Sequence, residues 1–254
     1  MRSLFTIALF IAASVSATPD FGGMIKGALH KLSHHLHKKD PTLNWPKVHL
    51  PPDNFQAEYI VTQWEWRVNS LIQYKNTSIS QSIDSDGNRE LVHFRSDVDG
   101  HGLVDVQTYT DFNTNIMHQK IESIGVCQKS PPPLPIKNLR EYVHKFQDYH
   151  EDMIAYIGSI GPVGGHPWDE ENHAFALLMK LPNHKFFFGT LFFDTRTLDL
   201  KIITLDDYPN FIIKVESIIE RKFTDADFKN VECQDGQAAN PFIKFTTPMS
   251  GMFF

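Results

Sequence analysis

The apolar positions change period repeatedly along the chain. Between residues 21 and 36, Phe21, Ile25, Ala28, Leu29, Leu32 and Leu36 recur at helical spacing, with Lys and His filling the other side. From Glu58 the period drops to two. Ile60, Trp64, Trp66 and Val68 share one face, with Thr62 interrupting, while Gln63, Glu65 and Arg67 take the other. Further strands are predicted at residues 71–83, 89–96, 103–109 and 115–125. The first three are separated by Asp84-Ser85-Asp86-Gly87-Asn88 and Asp97-Val98-Asp99-Gly100-His101, whose Asp-Gly pairs are strong hairpin signals. A Pro-rich break at residues 130–135 ends this meander. Residues 138–150 return to helical spacing with Leu139, Val143 and Phe146 on the stripe. Strands at 154–160, 173–181, 185–194, 198–205 and 211–223 follow, with a turn at Asp194-Thr195-Arg196-Thr197 and a short helical turn at 225–228.

One strand departs from the half-wet pattern. Phe186, Phe188 and Phe192 alternate with Phe187, Leu191 and Phe193, so both faces of residues 186–193 are apolar. Polar alternation elsewhere points to an antiparallel sheet, and the second apolar face of this strand then needs its own cover: a helix, a partner or an apolar ligand. A fully buried central strand satisfies the pattern, and so does the wall of a cavity. Trp64, Trp66, Phe186, Phe188 and Phe192, with Leu177 and Met179, are the candidate lining; ordinary core packing is the alternative for each. Two strand blocks around one helix predict a mainly β fold, a single strongly curved antiparallel sheet with helical cover.

Targeting signals place this domain. Arg2 precedes an apolar run from Leu4 to Ala13, and Val15-Ser16-Ala17 offers small residues for cleavage, so residues 1–17 read as a signal peptide. Residues 18–53 then form a basic amphipathic segment and a linker marked by Pro41, Pro46, Pro51 and Pro52. Residues 54–233 form the folded domain and 234–254 a tail. No later run reaches the roughly 20 apolar residues of a span, so the expected location is extracellular, with the lysosomal lumen as the alternative. Asn76-Thr77-Ser78 is a glycosylation sequon in that compartment. Cys127 and Cys233, the two cysteines, read first as one disulfide; neither lies in a Cys-x-x-Cys or zinc pattern.

Charge and histidine content narrow the partners. A formal net charge of -6 argues against nucleic acid. His30, His34, His35 and His37 make the 18–53 segment strongly cationic in acid, which suits peripheral contact with an anionic membrane; a pro-segment or a helix docked on the domain is the plainer reading. No catalytic or metal residues are assigned. Gly158-Ser159-Ile160-Gly161 is not a nucleophile elbow, and the polar run from His166 to His173 reads as a solvated loop. The Asp-x-Asp-Gly turns lack the long calcium loop and flanking helices of an EF-hand. The expectation is a binding protein, not an enzyme.

The segment Tyr109-Thr110-Asp111-Phe112-Asn113-Thr114-Asn115-Ile116-Met117-His118-Gln119-Lys120-Ile121-Glu122-Ser123-Ile124-Gly125-Val126-Cys127 resembles the stretch of ependymin-related proteins in which a hairpin strand runs into a cysteine. The Pro-rich break, Tyr156-Ile157-Gly158-Ser159, Trp168, the strand pair of 185–205 and the segment from Phe223 to Cys233 follow in similar order, so the resemblance covers roughly residues 54–233. Those proteins usually carry more cysteines. The resemblance implies a bridge between Cys127 and Cys233 and the half-barrel fold shared with bacterial lipoprotein carriers of the LolA and LppX type. It also implies binding of lipids or other apolar ligands in a hydrophobic cavity; calcium enters by resemblance alone, with no other cofactor. The second reading is an extracellular structural or interaction module without a cavity, engaging another protein or, as a homodimer, itself.

Overall fold

The computed structural model describes residues 45–65, 67–68, 70–98, 102–121, 125–132, 136–148, 154–160, 171–180, 186–205, 212–229 and 231–233. They build one antiparallel sheet. The strands are β1 (Asn54–Glu65), β2 (Ser70–Asp84), β3 (Arg89–Val98), β4 (Gly102–Asp111), β5 (Ile116–Ile121) and β6 (Val126–Ser130). Helix α1 (Leu139–Gln147) follows, then β7 (Ile154–Ile160), β8 (Asn172–Lys180), β9 (Phe186–Asp194), β10 (Leu200–Leu205) and β11 (Ile212–Glu220). Their spatial order is β6-β5-β4-β3-β2-β1-β11-β10-β9-β8-β7. Two meanders therefore meet where β1 pairs with β11, and the chain passes from one edge of the sheet to the other through α1. The sheet is open and strongly curved, a half-barrel with helical cover.

One core fills the concave side. Phe55, Tyr59 and Val61 of β1, Ile79 and Ile83 of β2, Phe175 of β8, Phe193 of β9 and Ile213 of β11 join Leu139, Val143 and Phe146 of α1 in a single cluster. The helix stripe thus packs where its spacing predicts. Asn138 caps the helix by accepting the Glu141 N–H at 3.2 Å. Asn88, at the β2–β3 turn with φ 55°, accepts the Leu139 N–H at 2.7 Å and donates to the Lys137 carbonyl at 3.0 Å, tying hairpin to helix.

Three expectations are corrected. First, β1 buries its odd positions Phe55, Ala57, Tyr59 and Val61, not the face of Ile60 and Val68. Ile60 is half-buried and Val68 is 62% exposed. Odd positions stay inward through Val61, and Thr62 beside it is buried as well, where the pairing with β2 jumps from Ser78 to Gln73; counting back from the tryptophans across that point loses the phase of the strand's first half. Second, the strand expected over 115–125 corresponds to β5, Ile116–Ile121, and an additional strand, β6, follows the turn at Gly125 with φ 65°. Third, packing starts ahead of Asn54: Val48 is buried, Trp45 meets Phe175 edge-on at 6.3 Å, and the His49 N–H bonds the Leu198 carbonyl at 2.8 Å.

Candidate functional site

The face of the sheet that packs under α1 is mostly apolar, with a buried Thr77–Ser96 pair toward one end of β2 and β3 and a longer polar strip across its middle. The Tyr59 hydroxyl donates to Gln81 Oε1 at 3.0 Å, and Gln81 Nε2 donates to Glu90 Oε1 at 3.0 Å. All three are buried, and Gln81 has no exposure at all. Burial pushes the Tyr59 phenol far above its ordinary value, with the Glu90 and Glu58 carboxylates adding to it. The phenol therefore stays protonated and remains a donor. Strand register continues the strip into β4, where Glu90 pairs with Thr110 and Val92 with Thr108. Thr108 is 1% exposed, and its Oγ1 has no hydrogen-bond partner among the described residues. An unsatisfied buried hydroxyl costs about 1–3 kcal/mol and calls for a reason. The sequence hid this strip, because Ser80, Gln81 and Ser82 are all polar and no alternation marks which of them points inward.

The convex face carries a strap. After β11 the chain forms a 3-10 turn, Asp225–Phe228, and runs to Cys233 across β3, β4 and β5. Phe228 packs on Tyr109 at 6.0 Å with the Arg89 guanidinium 4.2 Å above its ring, and Arg89 also pairs with Asp84 and Asp225. Cys233 bonds Cys127 of β6 with Cα atoms 5.5 Å apart, the pair expected. The Cys233 N–H donates to His118 Nδ1 of β5 at 2.9 Å. Burial holds the His118 imidazole below its usual range.

The candidate lining residues do not all converge. Leu177 is buried on the concave side with Phe175 and Phe193. Phe192, one position from Phe193 in β9, is buried on the opposite face with Ala174, its partner in register. Phe186 and Phe188 stand opposite Lys180 and Leu178, Met179 opposite Phe187, and Trp64 opposite Leu71; the side chains of these residues, and all of Trp66, lie outside the described residues. So do residues 1–17, read above as a signal peptide, the histidine-rich segment, Trp168 and the tail. β9 is an interior strand, paired with β8 and β10. Asn76 is exposed, also with positive φ, and donates to Asp97.

The acidic turn at 84–88 is occupied by the protein's own groups, and residues 99–101 of the other turn lie outside the described residues. Asp84 accepts from Arg89 and from the Gly87 N–H, and Asp86 pairs with Arg140 and Asn54. Among the described residues no three His, Cys, Asp or Glu side chains gather to hold a metal, and no described helix is long and apolar enough to cross a membrane.

No family model and no curated protein matches the chain. Among solved structures it is similar to a domain from Vibrio parahaemolyticus assigned to outer-membrane lipoprotein sorting, at 7% identity over 69% of this chain and 89% of that one, with a TM-score of 0.33. A β-barrel-like domain of unknown function from Brucella abortus is similar at 11% identity, over 69% of this chain and 100% of that one, with a TM-score of 0.30. At this distance neither carries an inference about ligand or activity.

Proposed function

We propose that the protein is a secreted or lysosomal binding protein that holds a lipid or another apolar ligand on the concave side of the half-barrel and breaks no bond. One observation carries the reading: a buried polar strip, ending in a Thr108 hydroxyl without a partner among the described residues, crosses a mostly apolar interior. An acyl chain would gain about 0.8 kcal/mol for each methylene removed from water, and Tyr59, Gln81 and Thr108 would orient its polar end. The apolar β9 and the leader in the sequence support the same reading. A second reading, a structural or interaction module, is supported by the close filling of the interior beneath α1 by Phe55, Ile83 and Phe146. Thr108→Val separates the two. It removes the orphan hydroxyl without changing shape, so stability should hold or rise by roughly 1 kcal/mol while uptake of a fluorescent fatty acid weakens several-fold. Unchanged uptake by the variant would detach Thr108 from the site.

A further inference from the structure

A polar depression on the convex face faces away from this interior and is independent of what the interior binds. It holds about 250 Å³ and is lined by Glu58 of β1, Ser78 and Ser80 of β2, and His93 and Arg95 of β3. Register explains its shape. Ser80 lies between Glu58 and His93, and Ser78 between Ile60 and Arg95, so short side chains form a floor between longer walls. One wall is acidic and the other basic. Arg95 Nε donates to Asp105 Oδ2 at 2.8 Å, which holds that wall in place. Donors and acceptors face each other across the floor, and the Arg95 charge is already met by Asp105, which suits a neutral, hydroxyl-rich ligand better than an anion.

Such a ligand has a point of attachment at the end of the same floor. Asn76, two residues before Ser78, is exposed in a left-handed backbone where β2 bulges out of register with β1. Its side chain reaches Asp97, two residues beyond Arg95 on the outward face of β3. Asn76-Thr77-Ser78 is a sequon, and the leader and the Cys127–Cys233 bridge agree on an oxidising secretory compartment.

We propose that Asn76 carries an N-linked glycan whose first sugars lie in this depression, against Ser80, His93 and Glu58. In the transfer, Asn76 Nδ2 bonds the anomeric carbon of a polyprenyl-diphosphate-linked oligosaccharide and loses one proton, and the carbon–oxygen bond to the diphosphate breaks as that group leaves. Nδ2 keeps one hydrogen for Asp97. Tethering supplies a high local sugar concentration, so a shallow polar site with no aromatic platform suffices.

The test uses the full chain secreted from a eukaryotic host. Intact mass before and after treatment with a glycan-removing amidase should place a glycan on Asn76, lost in Asn76→Gln. Release from the native protein should be slower by roughly tenfold than from Ser80→Leu, which fills the depression and leaves the sequon intact. The His93 ring resonances should differ between the glycosylated protein and Asn76→Gln, a comparison that stands if Ser80→Leu fails to fold. An unmodified Asn76, or His93 resonances that ignore the glycan, would overturn the proposal.

Discussion

Gln81 and His118 are polar side chains buried on opposite faces of one sheet, and each is held by a neighbour that fixes its hydrogen-bonding role. Gln81 accepts from Tyr59 and donates to Glu90, so its amide orientation is set. His118 Nδ1 accepts the Cys233 N–H, so the imidazole must be neutral there. Tyr109 and Asp111 of β4, Lys129 of β6 and Glu232 of the strap surround it; the two carboxylates favour its proton, but burial outweighs them. Because the folded pKa lies below the ordinary 6.5, the unfolded chain binds the proton more readily. This contribution is complete above pH 6.5 and is lost as pH falls through that value toward the folded pKa. Urea unfolding at pH 7.5 and pH 5 should show a smaller stability loss for His118→Gln, which keeps an acceptor without titrating, than for the parent. Equal losses in both would remove His118 from the pH response. Neither role is visible in the sequence: a lone histidine in a strand announces no partner 115 residues away.

At the scale of elements, what was legible followed from period and turn chemistry. The α1 stripe of Leu139, Val143 and Phe146, the Asp-Gly hairpin at residues 84–88 and the Asp194 turn all stand as expected. The Asp194 carboxylate collects Lys201 and the Thr197 and Arg196 N–H groups, which hold its pKa well below the usual carboxylate range. Errors arose where local rules carry no phase. The bulges that β2 and β11 make against β1 leave no mark in the alternation of β1 itself, and β6 follows the Gly125 turn as a strand that the sequence does not announce. The turn glycine was the available signal. Asn88 is more than a turn residue, since its side chain bonds Leu139 at the start of α1 and Lys137 just ahead of its cap. Asn88→Gly keeps the positive φ and loses both bonds, and Asn88→Ala also strains the backbone. The expected costs are roughly 1–2 kcal/mol for the glycine variant and more for alanine, with faster amide exchange confined to the first turn of α1. Exchange protection unchanged in that turn would contradict the link.

At the scale of the whole molecule, the sequence supplied the fold class and the cysteine pair but not the strand order. Two meanders joined by one helix are readable as a pattern, whereas the β1–β11 junction depends on pairing across 150 residues or more. The Cys127–Cys233 bridge spans 106 residues and, in the chain-entropy model, is worth about 4–5 kcal/mol. It ties the strap to β6 at one edge of the sheet. The site was only partly legible. Apolar residues on both faces of β9 signalled a strand that needs cover, but Leu177 and Phe192 fall on opposite sides, and the polar strip was missed because nothing in β2 marks its inward face. The central claim, an apolar ligand held inside the half-barrel, is tested most directly by native mass spectrometry of the protein secreted from a eukaryotic host, followed by organic extraction. The account predicts a stoichiometric co-purified lipid that leaves on extraction and is depleted in Thr108→Val; an empty protein that also refuses a panel of fatty acids, sterols and phospholipids would contradict it.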